Sequence, residues 1–104
     1  MKFVGALVNG TTEGRFLDDP AYDSLLSAAE DLDVPIYVHP HLAPEPVREA
    51  YFAGLDSGAA RVLEAAGWGW HQETALHIFR LVLSGALDRH PKLKLIIGHM
   101  GEML

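Results

Sequence analysis

Three short apolar runs punctuate the chain, and helical periodicity fills the stretches between them. Residues 3–8 form the first run and end on Asn9-Gly10, which predicts a buried strand closed by a turn. A polar loop over residues 10–18 follows. Asp19-Pro20 then has the form of a helix N-cap with proline at the first helical position, where a missing N–H costs nothing. Tyr22, Leu25, Leu26, Ala29 and Leu32 recur at helical spacing and predict a helix over 20–32. Val34-Pro35 stops it, because the residue before proline disfavours the helical region.

The second run, Pro35–His39, is β-rich and apolar on both faces, as in a parallel strand covered by helices. Prolines make residues 39–46 a loop. A short helix is expected over 45–53, broken by Gly54 and Gly58. The aromatic, glycine-containing stretch at 68–71 reads as a loop or a helix end. Residues 73–83 predict a helix apolar on most sides, hence well buried. Ser84-Gly85 and His90-Pro91 lead to the third apolar run at 93–97, a strand. Strand, helix, strand, long helical excursion and strand together predict a parallel α/β sheet with right-handed crossovers. With no repeat or linker, residues 1–104 form a single domain.

Composition narrows the function classes. Lys plus Arg number 8 against 14 Asp plus Glu, a formal charge of −6 without a basic cluster, which argues against nucleic acid as a partner. The absence of cysteine removes disulfides, thiolate metal sites and cysteine nucleophiles together. No stretch approaches the roughly 20 apolar residues that span a bilayer, and the N-terminal run is too short for a signal peptide. No membrane association and a cytoplasmic location are the expectations.

His39 and His99 both fall just past the C-terminal end of an expected parallel strand, where ligand and catalytic groups gather in such folds. Imidazole is the commonest metal ligand and a general acid or base near neutral pH, although either ring can simply cap a strand. Glu102, in Gly-His-Met-Gly-Glu, is placed to orient His99, or to sit at a helix start. His71, next to Trp70 and three residues after Trp68, lines an aromatic-binding pocket or packs the two indoles. Asn9 can present its amide to a substrate, yet Asn-Gly is first a turn signal. His41 is expected at the surface or behind His39, His77 in the core, and His90 as a charge at a helix C-terminus. There is no Walker loop, nucleophile elbow, H-E-x-x-H helix or dinucleotide fingerprint.

Three blocks, Pro-Ile-Tyr-Val-His39-Pro-His, Gly-Trp70-His71-Gln-Glu73-Thr-Ala-Leu-His and Pro91-Lys-Leu-Lys-Leu-Ile-Ile-Gly-His99-Met-Gly-Glu102, resemble the amidohydrolase-related decarboxylases. These act on γ-resorcylate, 2,3-dihydroxybenzoate, 5-carboxyvanillate and related acids. The resemblance implies a fragment of a (β/α)8 TIM-like barrel, approximately strands four to six with their helices. It implies one divalent metal, zinc or manganese, and no organic cofactor. His39 then matches the metal ligand, His99 the catalytic histidine beside a small carboxylic-acid substrate, and Glu102 its hydrogen-bonded partner. The family's Glu-x-His or His-x-His pair on strand one and its proton-donating aspartate after strand eight have no counterpart here. A typical barrel needs about 250 residues, so the chain is expected to be a piece, inactive alone, of a homo-oligomeric carboxy-lyase. The other readings are a hydrolase or hydratase of the same superfamily, and a non-catalytic α/β fragment that self-associates.

Overall fold

The computed structural model describes residues 2–101 and 104. Strands β1 (Ala6–Asn9), β2 (Pro35–His39) and β3 (Lys94–Ile97) form one parallel sheet in the order β1-β2-β3. Helix α1 (Asp23–Asp31) connects the first two strands. Helices α2 (Glu45–Phe52), α3 (Ser57–Val62), α4 (Gly69–Leu83) and α5 (Ala86–Arg89) fill the longer connection. The α/β order and all three parallel strands agree with the sequence reading.

Side chains alternate across a strand, and here the alternation separates two unlike faces. Ile36 and Val38 of β2 are wholly buried. They pack with Val8, Leu95 and Ile97 under Leu26 and Ala29 of α1, Ile78 and Leu81 of α4, and Ala86 of α5. The opposite face carries the register row Leu7, Tyr37 and Ile96. Leu7 is 57% and Ile96 45% exposed, so the described helices leave this face bare. An apolar groove beside β1 and α1, lined by Phe3, Ala6, Leu25, Ala28, Leu32 and Val34, is similarly open.

Several boundaries differ from the sequence expectation. β1 begins at Ala6, not at residue 3, and Phe3 and Val4 are 78% and 80% exposed. The register pairs Ala6 with Ile36, and β2 starts at Pro35, which has no N–H to extend the ladder. The helix expected over 20–32 splits into a 3-10 turn at Pro20–Tyr22, capped by Asp19 Oδ1 accepting from Ala21 N at 2.9 Å, and α1 proper. Of the two readings of residues 68–71, the helix end holds and the loop does not: α4 starts at Gly69, following a π-helical turn at Leu63–Gly67. A Cβ on Gly69 would collide with the Glu64 carbonyl, so glycine here serves close packing rather than a helix break. Finally, α4 is apolar on most sides as expected, but it is not well buried on all of them. Leu76, Phe79, Val82 and Leu83 line an exposed flank opposite the core.

Side-chain bonds dock the loops onto this frame. His77, fully buried on α4, accepts a hydrogen bond from Leu17 N at 3.1 Å through Nε2. Arg80 forms a two-point pair with Asp18, both contacts at 2.8 Å. His90 is more than a helix-end charge: it is buried, with its ring nitrogens 3.0 Å from Asp23 Oδ1 and 3.5 Å from Glu30 Oε2 on α1. The His90 and Arg89 contacts hold the Asp23 carboxyl below the usual carboxylate range. No helix among the described residues is long and apolar enough to cross a membrane.

Burial lowers the His77 pKa from 6.5 to about 4, so the folded chain keeps this ring neutral with the proton on Nδ1. Between those values the unfolded chain binds more protons, so folding stability increases with pH through the window. It is therefore expected to be lost as pH falls from about 6.5 to about 4, by roughly 3 kcal/mol in all. Denaturant titrations from pH 4 to 7 measure this. His77→Gln, which retains an acceptor for Leu17 N, is expected to flatten the slope.

Candidate functional site

The register that aligns Leu7, Tyr37 and Ile96 places Asn9, His39 and Gly98 one step further on the same face, at the C-terminal edge of the sheet. His39 is half-buried there. Its Nδ1–H donates to the Pro40 carbonyl at 2.7 Å, so this bond engages Nδ1 and not Nε2. Gly10 N donates to the His39 carbonyl at 3.3 Å, and Gly98 N to the Val38 carbonyl at 3.0 Å, holding the strand ends level. Gly98 also makes room: a Cβ would lie 3.1 Å from Pro40 Cδ and 3.2 Å from the Tyr37 hydroxyl.

After β3 the chain turns through three successive left-handed residues, His99 (φ 46°), Met100 (φ 64°) and Gly101 (φ 88°). For the first two this conformation costs on the order of 1–2 kcal/mol each, a strain characteristic of functional sites. It brings the His99 ring to His39, with centroids 5.3 Å apart and planes at 86°. Trp70, in the first turn of α4, closes the triangle at 6.4 Å from the His39 ring and 5.7 Å from the His99 ring. Tyr37 stacks beneath His39 at 6.1 Å. Arg48 of α2 ties the π turn that precedes α4 to the loop after β2, reaching Glu64 and the Ala43 carbonyl at 2.9 Å each.

The sequence candidates meet unequal fates. His39 and His99 come together, and Asn9 is the register partner of His39. His71 lies on the first turn of α4, where its Nε2–H donates to the Ala66 carbonyl at 3.1 Å, across the π turn. Glu102 lies outside the described residues. His41 is exposed, its Nδ1 against the Leu42 carbonyl. The sequence reading missed Trp70 and Tyr37 as neighbours of the histidines. Tyr37 was detectable as the residue two before His39 on one strand face; Trp70 was not, because residues 68–71 had no assigned helix.

A divalent ion would find one suitable ligand here. The carbonyl bond on Nδ1 orients the His39 ring and leaves Nε2 available, the usual arrangement of a metal-bound histidine. Among the described residues, no three His, Asp or Glu side chains are grouped to hold an ion. His39 therefore fits as one member of a set whose other ligands come from elsewhere.

The whole chain, residues 1–104, matches the Amidohydrolase family model, and the protein belongs to that family. Two curated relatives are decarboxylase orsB of Emericella nidulans, 42% identical over 98% of this chain, and γ-resorcylate decarboxylase of a Rhizobium species, 43% identical over 98%. A solved dihydroxybenzoic acid decarboxylase from Polaromonas, with bound manganese and the inhibitor 2-nitroresorcinol, superimposes with a TM-score of 0.81 at 39% identity over 96% of this chain. The chain spans 31%, 31% and 30% of these proteins, just under a third of each. The fold is thus an α/β segment of the amidohydrolase barrel, built on a three-stranded parallel sheet.

Gly10 links the first strand to this site. Its φ is +51°, and a Cβ would stand 2.6 Å from that of His41. Gly10→Ala is expected to destabilise the chain by about 1–3 kcal/mol, measured by urea denaturation, whereas Gly14→Ala, with open space around it, should bear only the backbone strain.

Proposed function

We propose that this chain forms part of the active site of a metal-dependent, non-oxidative decarboxylase acting on a hydroxybenzoate-like aromatic acid. The reading rests on one observation above all: two histidines on adjacent parallel strand ends converge to 5.3 Å, one with its Nδ1–H fixed on a carbonyl. His39 is the proposed metal ligand. His99 and Glu102 are the proposed catalytic pair beside the substrate, with Asn9 and His71 at the substrate's margins. A bound divalent ion, manganese or zinc, would neutralise the anionic substrate and hold its carboxylate and an adjacent ring oxygen.

The residues of this chain supply orientation. His39, held by Pro40 through Nδ1, lies beside the His99 and Trp70 rings. The edge-on packing of those rings favours a flat aromatic guest over an aliphatic one. His99, exposed at the sheet edge, is placed to exchange a proton with the substrate while Glu102 steadies it. Loss of CO2 needs no electron acceptor, in accord with the absence of any dinucleotide motif. The protein is further proposed to be cytoplasmic and homo-oligomeric.

In the manganese-loaded full-length protein, 2,6-dihydroxybenzoate is expected to release CO2, and elemental analysis is expected to find about one metal per chain. His39→Ala should lose both the metal and at least 100-fold in turnover. Retention of stoichiometric metal in His39→Ala, or turnover unaffected by it, would falsify the assignment.

The bare face favours a second reading for the 104 residues in isolation. Leu7 and Ile96 are exposed, and β1 and β3 each have an unpaired edge, a template for association. Size-exclusion chromatography of the isolated chain at increasing concentration is expected to show self-association. A concentration-independent monomer would contradict it.

A further inference from the structure

The indole N–H of Trp70 is buried and has no acceptor among the described residues. A buried donor left unpaired costs about 1–3 kcal/mol, so its persistence calls for a reason. Two residues away, the Trp68 indole N–H is satisfied by Gln72 Oε1 at 3.1 Å, which shows that the local sequence can supply a partner where none else is available. Trp70 is the indole that faces the His39–His99 pair, at 6.4 and 5.7 Å between ring centroids. It is not a loosely held ring: the close pass of Gly69 over the Glu64 carbonyl and the Arg48–Glu64 bond anchor the first turn of α4.

We propose that Trp70 is a specificity-determining residue that donates its indole N–H to a ring oxygen of the aromatic acid, the hydroxyl left over when His39 and its metal have taken the carboxylate side. The inference rests on the aromatic-acid reading above and deepens it. An indole only donates, whereas a phenolic oxygen accepts. Trp70 therefore rewards a second ring hydroxyl and offers nothing to a ring that lacks one. A water held by the indole would satisfy the same donor, but it would not distinguish two acids that differ by that single hydroxyl.

Binding, rather than turnover, tests this directly. Calorimetric titration of the manganese-loaded full-length protein compares 2,6-dihydroxybenzoate with 2-hydroxybenzoate, in wild type and in Trp70→Phe. Trp70→Phe is expected to weaken 2,6-dihydroxybenzoate about 10-fold and to change 2-hydroxybenzoate by less than about two-fold. Equal changes for the two ligands, or none for either, overturn the proposal while leaving the decarboxylase reading in place. A wild-type protein that binds neither acid overturns that reading and this inference with it. Where Trp70→Phe does not fold, a benzothienylalanine at position 70 keeps the bicyclic shape, loses only the N–H, and is judged by the same two outcomes.

Discussion

Strand β2 pairs on both sides with parallel neighbours, and its register sets nearly everything else in the molecule. Pairing Val8 with Val38, and Val38 with Ile97, turns one complete set of alternate side chains toward the helices and the other set away from them. A slip of one residue would move Ile36 and Val38, both wholly buried, to the open face. It would also carry His39 to the helical side, away from His99. The apolar burial that makes this register favourable, of the order of 1.5–3 kcal/mol for each fully buried aliphatic side chain, thus also places the chemistry.

The same frame explains why the two faces of the sheet are so differently covered. Helices α1, α4 and α5 close one face into a core of their own. The other face presents a row of Leu7, Tyr37 and Ile96, topped by Asn9, His39 and Gly98. In a closed barrel such rows form the packed interior layers, with functional groups above them at the C-terminal rim. The segment spans just under a third of its relatives, and among its described residues no three His, Asp or Glu side chains gather to hold an ion.

Much of this architecture was legible in the sequence, for reasons that also explain what was not. The second and third strands are short apolar runs bounded by proline and by glycine, and they form where expected. The first was drawn too early because Phe3 and Val4 are as apolar as any strand residue. Nothing in their chemistry reports that Pro35 begins the partner strand one residue short of them. The histidine pair was readable because both follow strand ends, a relation local to each. The contribution of Trp70 was not, because two glycines and two indoles have the composition of a loop. Only the packed distance between Gly69 and the Glu64 carbonyl shows why glycine is needed inside a helix start.

Helix α4 carries the last step of the argument. Ile78 and Leu81 pack in the core, while Trp70, Glu73, Thr74 and His77 recur on the same helix at intervals of three and four. Leucines at Trp70, Glu73 and Thr74 would bury apolar area and carry no polar atoms, although a leucine at His77 would leave Leu17 N without its acceptor. Instead, the Trp70 indole, the Thr74 hydroxyl and the His77 Nδ1 are buried without partners among the described residues, and burial raises the Glu73 pKa. A helix selected only to cover a sheet would shed such costs. In α4, then, the polar groups serve different ends: His77 docks the Leu17 loop, while Trp70 meets the His39 and His99 rings.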